Sequence, residues 1–247
     1  MSPIRDPSYS SLYIEMFNNG LKVASGTGFI LKSKSDKPYL ITNRHNVTGR
    51  NNFTGKFLEG CSPPDQIQIY HHKAFELGHW VMRSESLVDS ERNFWIEHPR
   101  LGPTADFVAL PLRNLDNTQL YSHYFTIRNP EDFLGPSDRV NVIGFPFGQT
   151  AGGYLPIWLT GFIASEMAIN YIDLPIFLID CRTRPANSGS PVVFYNNNYD
   201  FNRFQYIDDK PPNTKLLGIY SGRIDKESDI GLVWKASSIK ELIDSLD

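Results

Sequence analysis

A chain of 247 residues, 40% hydrophobic and 21% charged, is that of an ordinary globular protein, long enough for one large domain or two smaller ones sharing a core. Its net charge of −3 is spread along the chain without concentrated lysine or arginine, which argues against nucleic acid as the main partner.

The apolar periodicity is that of strands. SLYIEMF (11–17) is rich in aromatic and β-branched residues, the turn Asn18, Asn19, Gly20 follows, and a second apolar run reaches Leu31. After the turn at 35–38, YLIT (39–42) reads as a third strand. QIQIY (66–70), HWVM (79–82), NFWIE (93–97) and FVALPL (107–112) follow in the first half. A polar stretch over 113–135 reads as a crossover. Beyond it come RVNVIGF (139–145), IWLTGFIA (157–164), IFLID (176–180), PVVFY (191–195), LLGIYSG (216–222) and GLVWKA (231–236). NNNYDFN (196–202) reads as a polar loop. Only the end is helical, with Ser238 and Glu241 spaced as a capping box at the start of SIKELIDSL. About a dozen strands in two groups predict an all-β protein of two six-stranded antiparallel β-barrels, residues 1–120 and 121–247, with a short C-terminal helix.

Two cysteines, Cys61 and Cys181, are too few for a disulfide framework and read as free thiols of a reducing compartment. MSPIRDPSYSSLY lacks the apolar core of a secretion signal. The uncharged stretch from Val140 to Ser165 holds five glycines and two prolines, which a membrane-spanning helix does not tolerate well. The expected location is the cytoplasm, with no membrane partner.

Catalytic chemistry needs groups that activate one another. Of six histidines, His45 stands apart, ending the strand pattern of YLITNRHNV before a turn at Gly49, although an edge histidine bonded to backbone reads the same way. Asp106 precedes the apolar run FVALPL, where a carboxylate is costly unless paired; Asp180, after IFLID, is the competing acid. RTRPANSGSPVVF (182–194) places Ser188 and Ser190 around Gly189, and a serine becomes a nucleophile only with a base and an orienting acid. There is no HExxH pattern and no paired CxxC, so no metal is expected, and Gly152-Gly153 lacks the following GK[ST] of a phosphate cradle, so no cofactor is expected either. An esterase elbow needs GxSxG, and ANSGS lacks its first glycine.

Together these stretches resemble the trypsin-like serine peptidases of the chymotrypsin fold, closest to bacterial members without disulfides. GTGFI (26–30) with LITNRHNV is similar to that family's "GTGF…TAAHV", ADFVALPL to its "DIAVL" strand, and ANSGSPV to its nucleophile loop. The resemblance implies His45 as base, Asp106 as orienting acid and Ser188 as nucleophile, in the family's chain order. It implies an oxyanion hole from the N–H groups of Ala186 and Ser188, with Ser190 in a packing role. LLGIYSG is similar to the family's strand beside the specificity pocket, implying peptide contacts at Tyr220, Ser221 and Gly222, and Arg182 falls near the expected pocket base. The expected substrate is a protein or peptide, with an activating partner protein allowed for. Ala186 stands where the family has glycine, Asn187 where zymogen-activated members have aspartate, and Asn43-Arg44 where a small pair is usual. Ala186 motivates the alternative of a catalytically inactive module that binds peptides or proteins.

Overall fold

The structure is a computed structural model that describes residues 4–58, 60–90, 92–126, 130–196, 199–200, 205–206, 213–225 and 227–246. Strand β1 (Ser11–Asn18) turns back into β2 (Leu21–Lys32) through Asn19 and Gly20, both at positive φ (49° and 76°), as a two-residue hairpin turn requires. β3 (Pro38–Thr42), β4 (Gln66–Lys73), β5 (Trp80–Ser86) and β6 (Val108–Pro111) complete a sheet of order β5-β4-β1-β2-β3-β6, with the short β7 (Thr118–Gln119) beside β4. The second half closes fully: β8 (Arg139–Gly144), β9 (Ile157–Ile163), β10 (Ile176–Asp180), β11 (Pro191–Asn196), β14 (Asn213–Arg223) and β15 (Ile230–Lys235) form a six-stranded barrel. The two-residue strands β12 (Tyr199–Asp200) and β13 (Gln205–Tyr206) pair with each other beyond β11. They fall partly in the predicted polar loop 196–202, whose remaining residues 197–198 and 201–202 lie outside the described ones.

The chymotrypsin-like all-β architecture holds, with one qualification: the first sheet is a half-barrel. NFWIE, expected as a strand, makes only isolated bridges, Asn93 to Val88 on one side and Ile96 to Ala109 on the other. It spans the gap between the β5 and β6 ends of the sheet without a continuous ladder.

Strands near the middle of the molecule are buried on both faces, which is why they read as unbroken apolar runs. In β2 and β3, Ile30 and Leu40 point into the half-barrel core with Ile14, Ile67 and Val108, while Phe29, Leu31 and Ile41 point the other way. That second set packs against Val193, Leu216, Ile219 and Trp234, whose neighbours Val192, Leu217 and Val233 fill the closed barrel. The shared layer between the sheets aligns the edge of one with the loops of the other.

Three α-helices are described, two of them short, five-residue pieces without an apolar period to betray them. α1 (Asp6–Ser10) precedes β1, and α2 (Arg44–Thr48) follows β3. α3 (Ala236–Asp244) starts two residues earlier than SIKELIDSL suggested, and the capping box does not form. Ser238 Oγ donates to the Lys235 carbonyl (2.8 Å), and Glu241 instead accepts two hydrogen bonds from Arg100 (3.0 Å each).

Candidate active site

His45 sits on α2 and not at a strand end: β3 stops at Thr42, and one helical turn carries the imidazole toward Asp106. Asp106, only 2% exposed, lies just before β6. Its Oδ1 accepts the His45 backbone N–H (3.0 Å), and its Oδ2 accepts both His45 Nδ1–H (2.7 Å) and the Ser221 hydroxyl (2.5 Å). A buried carboxylate without such donors would be strongly disfavoured. Because Nδ1 is committed to the acid, Nε2 is the imidazole nitrogen left to accept a proton.

The residues on either side of His45 explain positions that the sequence left open. Asn43, fully buried, donates from Nδ2 to the Asp106 carbonyl (2.6 Å), and Arg44 pairs with Glu97 (2.8 Å). Asn46 donates from Nδ2 to the Ser188 carbonyl (3.2 Å) and to Thr42 Oγ1 (2.9 Å). The helix that carries the imidazole therefore also holds the serine loop.

That loop is tied to the half-barrel by long-range bonds. Ser188 O accepts Thr27 N–H (3.0 Å), and Ala186 O accepts the Thr27 hydroxyl (3.1 Å). Gly189, at φ 89°, lies so close to β2 that a Cβ there would come within 1.9 Å of the Thr27 carbonyl, so only glycine fits. Ser190 is buried, its N–H bonded to Asn187 O and its carbonyl to Tyr220 N–H.

Ala186 adopts the left-handed region, φ 69°. Arg184 O accepts Asn187 N–H (3.2 Å) across Pro185 and Ala186, the pattern of a type II turn with proline at its second position. Pro185 O is held by Phe147 N–H (2.8 Å). Among the described residues the N–H groups of Ala186 and Ser188 donate to no protein acceptor, and both residues line the same cleft. The cleft, about 360 Å³, is bordered also by His45, Asp106, Ser221 and Gly222. Within it the Ser188 hydroxyl donates to the Ser221 carbonyl (3.4 Å).

Other expected contacts fall elsewhere. Arg182, in the irregular stretch just after β10, is exposed between buried Cys181 and Thr183 and does not line the cleft. Tyr220 is buried behind the cleft, its hydroxyl on Thr183 Oγ1 (2.5 Å), and burial pushes its pKa up to about 12. Asp180 is exposed on β10, away from His45. The cation that does reach the cleft is Arg223, which no sequence motif marked.

A family model for the trypsin-like peptidase domain matches residues 26–198, well over half of the chain. The chain belongs to the trypsin-like peptidases. As a member of that family it has relatives that cleave proteins and peptides, and its fold recurs among solved proteases. The serine endoprotease from Yersinia pestis superposes with a TM-score of 0.57 at 17% identity, covering 100% of this peptidase-family chain and 68% of that one. An HtrA-type protease solved with a tripeptide gives 0.57 at 17% identity, covering 97% and 60%. The active form of the Rv3671c protease from M. tuberculosis gives 0.53 at 14% identity, covering 96% and 80%. No curated protein sequence matches this trypsin-like chain. No helix among its described residues is long and apolar enough to cross a membrane.

Proposed function

We propose that this protein is a serine endopeptidase, with residues 1–120 carrying the base and acid and residues 121–247 the nucleophile. The observation that carries this reading is the His45–Asp106–Ser221 hydrogen-bond cluster lying in one cleft with Ser188 and two unpaired N–H groups. Ser188 Oγ attacks the scissile carbonyl as His45 Nε2 takes its proton, and Asp106 stabilises the imidazolium. The carbonyl oxygen becomes an oxyanion received by the N–H groups of Ala186 and Ser188. Collapse expels the amine, protonated by His45, and leaves an acyl-enzyme that water hydrolyses by the same steps. Attack requires the Ser188 hydroxyl to leave the Ser221 carbonyl and turn to His45. The freed carbonyl can then accept a backbone N–H of an extended substrate. That rotation is the step left to substrate or to an activating partner protein. The free thiols of Cys61 and Cys181 support a cytoplasmic setting.

The Ser188–Ser221 hydrogen bond favours a second reading, a catalytically inactive module that holds peptides in the cleft. Intact-mass analysis after treatment with a fluorophosphonate separates the two. The peptidase gains one adduct that Ser188→Ala abolishes; a protein that stays unlabelled while binding peptides is the module.

A further inference from the structure

Beside the cleft runs a second groove of about 320 Å³, and Phe53, Arg223 and Leu232 line both. Its walls mix the polar Asn51 and Thr54 with apolar side chains unusually open to solvent: Phe53 is 56% exposed, Ile172 55% and Ile224 46%, and Tyr171 lines it beside Ile172. Isolated exposed apolar residues need no explanation, but three around one groove that opens into a cleft do.

Ile172 is the more telling because its backbone is also unfavourable. Tyr171 O accepts Leu174 N–H (3.1 Å), and the two residues between have φ of 49° and 60°. This is a hairpin turn with two left-handed centres, a place that favours Asn-Gly; a β-branched residue there is an outlier. Ile172 gains neither burial nor a relaxed backbone from its position. Strain of that kind collects where a side chain has work outside the fold.

The loop that carries Phe53 has a fixed backbone. Asn51 Oδ1 accepts the N–H groups of Phe53 (3.0 Å) and Thr54 (2.9 Å), and Asn52 Nδ2 anchors the loop to the carbonyls of Pro103 and Thr104. Arg223, at the junction of the two hollows, donates from its guanidinium to the Ser228 carbonyl (3.4 Å) and forms no ion pair among the described residues.

We propose that this groove takes a bulky apolar side chain of the substrate peptide, on the amino side of the cut bond, with Arg223 pairing an acidic neighbour. The assignment of sides rests on the peptidase reading above. A peptide that pairs antiparallel with β14 at Ser221 runs backward, from the cut bond toward Ile224. Three residues of strand cover roughly 10 Å, so the apolar side chain belongs three or four residues before the cut. Pre-formed walls spare the ordering cost that a collapsing pocket would incur.

The test uses the Ser188→Ala protein and fluorescently labelled alanine-rich decapeptides, read by anisotropy. Peptides carrying a leucine–glutamate pair should bind about tenfold more tightly than the same peptides with serine–glutamine. Ile172→Asn and Phe53→Ser should each remove most of that preference. Asparagine tolerates the left-handed turn, so Ile172→Asn should keep or raise the melting temperature while losing the preference, which separates a recognition role from a structural one. Equal binding of the two peptides, or a preference untouched by Ile172→Asn, overturns the proposal. No bond is cleaved in this assay, so it stands apart from fluorophosphonate labelling. Discrimination by the groove without an adduct on the wild type strikes only the peptidase reading, and an adduct without discrimination strikes only the groove.

Discussion

Ser221 and His45, from opposite halves of the molecule, donate to one and the same oxygen of Asp106, at 2.5 and 2.7 Å. The Asp106 carboxylate is thus anchored to β14, the strand that borders the cleft, as well as to the helix that carries His45. Removing one donor from a buried carboxylate costs about 1.5–3 kcal/mol. Ser221→Ala should therefore lower folding stability by that order and slow fluorophosphonate labelling about tenfold, measured by urea unfolding and by labelling rate. An unchanged labelling rate would show that Asp106 is held well enough by His45 alone.

Ala186 carries the left-handed conformation that glycine adopts freely, and an L-residue there costs about 1–2 kcal/mol. Ala186→Gly should accelerate labelling or leave the protein more stable by up to about 1 kcal/mol, although added freedom in the unfolded chain offsets part of the gain. Ala186→Val, β-branched, should turn the 185–186 peptide and cut labelling by at least about a hundredfold. Comparing the two rates and melting temperatures checks both arms.

Asn43 supports Asp106 through its backbone carbonyl. Asn43→Ala leaves the Asp106 carbonyl without its 2.6 Å donor in a buried place and should destabilise the fold by about 1–3 kcal/mol. Hydrogen exchange should show the loss concentrated near α2 and the start of β6.

Acid should weaken the protein through histidines far from the cleft. Burial pushes the pKa of His71 and of His123 down to about 4, from 6.5. A lowered folded-state value means that the unfolded chain binds protons first. The stabilisation is complete above pH 6.5 and is lost progressively as pH falls toward 4, by up to about 1.4 kcal/mol per pH unit for each histidine. Urea midpoints between pH 7 and pH 4 should track this slope, and His123→Phe, keeping the edge-on packing against Phe29, should flatten it.

Whatever depended on short-range pattern was legible in the residues. β2, β3, β11, β14 and β15 are apolar runs long enough to declare themselves, and Asn19-Gly20 fixes its own turn. His45, Asp106 and Ser188 could be picked out because each sits in a local motif, and their order along the chain pointed to one fold. Pattern could not show that NFWIE bridges two sheet ends without joining a ladder, since its alternation is that of a strand and its partners are chosen by the gap it spans. Nor could it show α2, too short to have a period.

The cleft itself is a product of distance. Thr27 and Asn46 hold the Ser188 loop across 142 to 161 residues of sequence, and Ser221 reaches Asp106 across 115. Arg182 was near the right place in the chain, yet it lies exposed in the irregular stretch after β10, and Arg223 took the position at the cleft. Sequence by itself determined which residues can form strands and which can do chemistry, because those properties are carried by neighbours along the chain. Only the tertiary structure decided which of them meet, because hydrogen bonds and packing between remote strands set the direction of each side chain.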